Sequence, residues 1–79
     1  MKEKEKEKIE SCYTSILKKI AQKRAEAGLT QIDLAFKLGL TASGYFKIEK
    51  GQSKLDLERL LAILVILDIS LKEFFKDFE

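Results

Sequence analysis

The residues able to do covalent or metal chemistry are few and poorly grouped for it. Cys12 is the single cysteine and the 79 residues include no histidine. Neither an intrachain disulfide nor the soft ligand set of a structural zinc or catalytic metal site is therefore expected. Cys12 falls on the apolar side of a helical pattern with no second thiol, so the expectation is a buried, inert thiol; a redox sensor is the lesser reading. Carboxylates such as Glu26 and Asp33 have no accompanying base, nucleophile or glycine-rich phosphate loop. These residues predict a protein that is not an enzyme and needs no cofactor, metal or small-molecule ligand. The middle of the chain offers something else: Gln31, Thr41, Ser43, Lys47, Lys50, Gln52, Ser53 and Lys54, donors and cations suited to a polyanion rather than to bond-making.

Charge is distributed in keeping with that reading. The net value is only +2, yet residues 9–55 hold eight Lys/Arg against four Asp/Glu, and residues 56–79 hold three against six. The first segment has the electrostatic character of a polyanion binder and the second does not. No run approaches eighteen uninterrupted apolar residues, and the start is a charged repeat rather than a basic tip before an apolar core. Neither a membrane span nor a signal peptide is predicted, and the cytosol is the expected compartment.

The elements that must position these groups are helical. A chain without proline or tryptophan but rich in Leu, Ile, Lys and Glu favours helices over sheets. Lys2 to Lys8 alternates Lys and Glu at every step, placing like charges four apart. This segment, residues 1–8, reads as a solvated, frayed tail or a ragged first turn. From Ile9, apolar residues at Cys12, Tyr13, Ile16, Leu17, Ile20 and Ala21 recur at spacings of three and four, predicting an amphipathic helix of about four turns that stops at Gly28.

Thr30 caps a second helix carrying Ile32, Leu34, Ala35 and Leu38 before Gly39 ends it. Thr41 caps a third over 42–50, with Tyr45 and Ile48 inward and Gly51 as its stop. Two short helices joined at Gly39-Leu40-Thr41 form a helix-turn-helix. Asp56 caps a fourth helix to about Leu67, whose apolar residues cover every face and need burial on both sides. Ser70 caps a last helix, Leu71 to Phe78, that gathers Phe74, Phe75 and Phe78. A small chain gains burial by association, so Leu61, Val65, Ile66, Ile69, Phe75 and Phe78 are expected at a homodimer interface. The domain plan is a charged tail at 1–8 and a helix-turn-helix domain with C-terminal dimerisation helices at 9–79.

The run from Arg24 through Gly28-Leu-Thr30-Gln31, Leu34-Ala35, Leu38-Gly39-Leu40-Thr41 and Tyr45-Phe-Lys-Ile48-Glu49-Lys50-Gly51 resembles the Cro and phage-repressor (XRE) helix-turn-helix family. The closing Leu60, Leu67-Asp-Ile-Ser70-Leu71 and Phe74-Phe75 extend the match, which covers about residues 14–75. The resemblance implies an all-α, five-helix, lambda-repressor-like domain that binds double-stranded DNA as a transcriptional regulator. It also implies an ion pair between Arg24 and Glu49 that fixes the third helix, and a phosphate contact from Gln31. A bare domain ending in an aromatic-rich fifth helix is similar to the controllers of restriction–modification systems.

The outward positions of the third helix are Ala42, Ser43, Phe46 and Lys47, the expected base contacts. Lys47 suits guanine O6 or N7, Ser43 can donate or accept, and Ala42 can meet a thymine methyl. Phe46 departs from the family pattern, where a small polar residue is commoner. It either touches a thymine methyl or the sugar backbone, or folds against the core. Gln31, Thr41, Lys50, Gln52, Ser53 and Lys54 form the expected phosphate set. Two uses stay open: a homodimeric regulator, repressing or activating, on a pseudo-palindromic operator, or a protein-interaction module, such as an antitoxin, using the apolar C-terminal helices.

Overall fold

A computed structural model describes residues 1–78 and contains five helices: α1 (Glu3–Glu26), α2 (Gln31–Leu38), α3 (Ala42–Glu49), α4 (Leu57–Ile66) and α5 (Leu71–Phe75). Among the described residues there is no strand, so the all-α, five-helix plan holds. Glu79, the last residue of the expected domain, lies outside the described residues.

Four of the five starts are set by side chains that accept an otherwise unpaired amide. Thr30 Oγ1 accepts from Asp33 N at 3.0 Å while Asp33 Oδ2 accepts from Thr30 N at 2.9 Å. Thr41 accepts from Gly44 N, Asp56 from Arg59 N and Ser70 from Glu73 N. The stops use left-handed residues. At Gly28 (φ 77°) the chain turns so that Leu29 N reaches the Arg24 carbonyl, and at Gly39 (φ 73°) Leu40 N reaches that of Ala35. Asp68 does the same for α4 at φ 57°, a conformation that short polar side chains tolerate better than most.

Two expectations for the first helix require correction. Residues 3–8 are not frayed: α1 runs unbroken from Glu3 to Glu26. Lys and Glu are strong helix formers, Glu5 accepts from Lys2 N at 3.1 Å, and Glu3 and Glu5 lie in the first turn, where the helix dipole favours negative charge. Extending a helix already nucleated by a packed segment costs far less than starting one. Cys12 is exposed rather than buried, as is Ile9. The face they occupy has no element opposite it, because burial along α1 reaches completion only at Leu17 and Ile20.

Smaller differences concern ends. α3 stops at Glu49 with Lys50 as its cap, α4 at Ile66, and α5 at Phe75 rather than Phe78. Of the apolar residues carried by α2, Ile32 is 67% exposed. Two positions on a helix are separated by about 200°, so Ile32 cannot share the face of Leu34.

The core unites Ile20 of α1, Leu34 and Ala35 of α2, Tyr45 of α3, Leu60, Ile63 and Leu64 of α4, and Phe74 of α5. Ala35, almost wholly buried, lies at the close approach of α2 and α3, where a small side chain is needed. Phe75 and Phe78 meet edge-on at 5.2 Å, and Lys19 Nζ lies 5.1 Å from the Phe78 ring while bonding Asp77 at 3.2 Å, which ties α1 to the C-terminal turn. None of the helices of the described residues is long and apolar enough to cross a membrane.

Candidate nucleic-acid interface

α3 presents two unlike faces. Tyr45 and Ile48 are buried inward, while Ala42, Ser43, Phe46 and Lys47 are all exposed on the outer side. The structure thus answers the open question at Phe46: its ring is 40% exposed and not part of the core. Lys50, one turn further, holds its Nζ 4.6 Å from the ring centroid. This cation–π contact restrains both side chains in the free protein.

The acidic residue of α3 is kept away from that face. Glu49 Oε2 accepts from Arg24 Nε at 2.6 Å and from Tyr45 Oη at 2.5 Å. Its Oε1 accepts from Arg24 Nη2 at 3.3 Å and from Gln31 Nε2 at 3.0 Å. Arg24 Nη1 also donates to the Leu29 carbonyl at 2.7 Å. One carboxylate therefore links α1, α2 and α3, with only 7% of its side chain exposed and 15% of Arg24's.

The protonation states follow from the same geometry. Burial pushes the Glu49 carboxyl upward, but hydrogen bonds from Arg24, Tyr45 and Gln31 outweigh it and hold the group below the usual carboxylate range. The hydrogen bond to Glu49 raises Arg24 against the opposing effect of burial. Burial, reinforced by the Glu49 carboxylate, pushes the Tyr45 hydroxyl far above its ordinary value, so it remains a donor. With Glu49 ionised and neutralised inside, the outer side of α3 and the following segment to Leu55 carry Lys47, Lys50 and Lys54, all exposed, and the next acid is Asp56 at the start of α4. Such a surface attracts phosphates.

The expected phosphate set is brought to this side unevenly. Thr41 is exposed but already accepts from Gly44 N, leaving its hydroxyl hydrogen for an outside acceptor. Gln52 and Ser53 both donate their amides to the Lys47 carbonyl, at 2.8 and 3.1 Å, which folds the loop back on the end of α3. Gln31 is half-buried and its amide is engaged with Glu49. Of the residues expected at a dimer interface, Leu61 and Val65 are exposed, whereas Ile66, Ile69, Phe75 and Phe78 are half-buried against the core.

Three features were missed in the sequence. The roles of Gln31 and Tyr45 as donors to Glu49 had a partial signal, since Tyr45 and Glu49 lie four apart on one helix. The Phe46–Lys50 contact had the same spacing. The exposure of Ile32 beside Phe46, where Gln31, Ile32, Ala42, Ser43 and Phe46 line one shallow cleft, needed the angle between α2 and α3.

Among known proteins, the family model described as helix-turn-helix matches residues 20–74, more than half of the chain. No curated protein and no solved structure matches significantly.

Proposed function

This chain belongs to the helix-turn-helix family of DNA-binding regulators of the XRE type, and on that premise we propose that it acts as a homodimer on a pseudo-palindromic operator. The observation that carries the reading is the outer face of α3: Ser43, Phe46 and Lys47 exposed, lysines flanking them, and the helix's acidic side chain withdrawn into an ion pair. Lys47 reads a base edge, and Gln31, Thr41, Lys50, Gln52, Ser53 and Lys54 secure the adjoining backbone. Gln31 does so after exchanging its bond to Glu49 or with the second hydrogen of its side-chain amide.

Dimerisation is supported by the apolar surface of α4. Leu57, Leu61 and Val65 follow one another at intervals of four and all are exposed, Val65 to 79%. An uninterrupted apolar stripe on a regulator of this size fits a second copy. For two recognition helices to enter successive major grooves, copies joined there must hold them about 34 Å apart. Residues 9–79 then form the working domain, with residues 3–8 as a solvated helical extension. Within the family, the aromatic cluster at the C-terminus favours a restriction–modification controller.

Selection from a randomised duplex pool at two salt concentrations tests the proposal. An enriched inverted repeat is expected, with affinity that falls steeply with salt and drops on Lys47→Ala by about 1–3 kcal/mol. Salt-sensitive binding without enrichment would refute the specific operator. No retention at low salt would move the function to protein binding through the α4 stripe.

A further inference from the structure

We infer that the cleft between α2 and α3 is a recognition site for the C5-methyl group of thymine, formed by Ile32, Ala42 and Phe46. The inference rests on the DNA-binding reading above and specifies what the recognition face selects. Ile32 is 67% and Phe46 40% exposed, and Ala42, one turn before Phe46 on α3, is exposed between them. All three line one shallow cleft, with Gln31 and Ser43 as its polar members.

A phenyl ring and two aliphatic side chains can neither donate nor accept a hydrogen bond, so they cannot read the pattern of nitrogens and oxygens on base edges. The apolar group that a base pair offers in the major groove is the thymine methyl. Phe46 is also pre-set for such a contact. Lys50 lies over its ring at 4.6 Å, which limits the rotamers that would be lost on binding. That lysine belongs to the phosphate set, so one side chain both steadies the ring and faces the DNA backbone. Lys47 and Ser43 are free to read the neighbouring pairs through hydrogen bonds. The half-site should therefore place thymine beside the base pair read by Lys47.

The test uses the full-length protein and the duplex enriched by selection, synthesised with thymine and again with uracil at each thymine position in turn. Burying a methyl-sized group is worth about 0.8 kcal/mol, or about a fourfold change in affinity. Loss of about fourfold is expected at one or two positions per half-site, and no change at the others. Phe46→Ala and Ile32→Ala should bind the uracil and thymine duplexes equally at those positions, with helix content unchanged. Placing 5-methylcytosine at the cytosine positions separates the two carriers of this methyl group. No change there assigns the site to thymine, and tighter binding would overturn that assignment. Equal affinity for uracil and thymine duplexes, a preference that survives Phe46→Ala, or a half-site without thymine would overturn the inference while leaving DNA binding intact. Absence of salt-sensitive binding to any duplex would overturn the DNA-binding reading itself.

Discussion

Replacing Glu49 by glutamine preserves the size of the side chain but removes its charge and converts one acceptor oxygen into a donor. In the native chain each oxygen receives two hydrogen bonds: Oε2 from Arg24 Nε and Tyr45 Oη, Oε1 from Arg24 Nη2 and Gln31 Nε2. Whichever way the new amide turns, its NH2 faces one Arg24 donor, so that bond is lost, while Tyr45 Oη or the Gln31 amide must reverse to accept. Arg24 meanwhile keeps a largely buried charge with no carboxylate beside it. Hydrogen bonds to charged groups are worth about 1.5–3 kcal/mol each, and breaking a buried pair from one side costs about 3–5 kcal/mol. The residual acceptor oxygen and the Leu29 carbonyl still serve Arg24, which favours the low end, about 3 kcal/mol. For a domain of this size that lowers Tm by about 12–24 °C.

The acid dependence gives the sharper readout. Glu49 is held below its ordinary pKa in the folded chain, so its contribution is complete above the unfolded value of about 4.3 and is lost as pH falls through the lowered folded value. Urea unfolding of wild-type and Glu49→Gln protein at one fixed concentration and a series of pH values should show a stability gap that is constant near neutrality. The gap should close in that acid window. A neutral-pH gap under about 1 kcal/mol, or one that acid leaves unchanged, would refute the assignment of Glu49 as the ionised centre of the network.

Thr30→Ala removes the side-chain cap of α2 while the backbone amide of residue 30 still donates to Asp33, and should cost about 1 kcal/mol in denaturant unfolding; an unchanged midpoint would place the control of that helix start elsewhere. Val65→Glu puts a charge at the most exposed position of the α4 stripe and should give a folded monomer by light scattering, whereas a folded dimer would sink the interface assignment. Cys12 is exposed, so it should react with an aromatic disulfide reagent in the native state as fast as an unstructured thiol does, and protection would contradict its placement on the open side of α1.

The parts of the fold that were legible in the sequence are those fixed by local signals. Thr30, Thr41, Asp56 and Ser70 each precede a helix whose third residue supplies the amide they accept, and Gly28 and Gly39 occupy the left-handed positions that L side chains avoid. Periodicity correctly assigned Tyr45 and Ile48 to the inside. It failed at Ile9 and Cys12, because periodicity identifies a face of a helix and not whether anything packs against it. Charge alternation at residues 2–8 misled for another reason: pairwise side-chain terms were weighed, whereas elongation from an established helix decides. On the outer face of α3, exposure of Ala42, Ser43 and Lys47 followed from helix phase alone. Phe46 did not, since an aromatic residue near a helix junction can pack either way until the neighbouring helix is placed.

The continuity of α1 has a mechanical consequence. Its first ten residues, Glu3 to Cys12, are exposed yet share one helical register with Leu17 and Ile20 in the core. Anything attached at Glu3 is therefore held by a helical rod about 15 Å long rather than by a tether. Each residue inserted into that rod would advance the attachment by about 1.5 Å and rotate it by about 100°. The terminus is a phased handle, whose direction in space can be set by the number of residues placed before Tyr13.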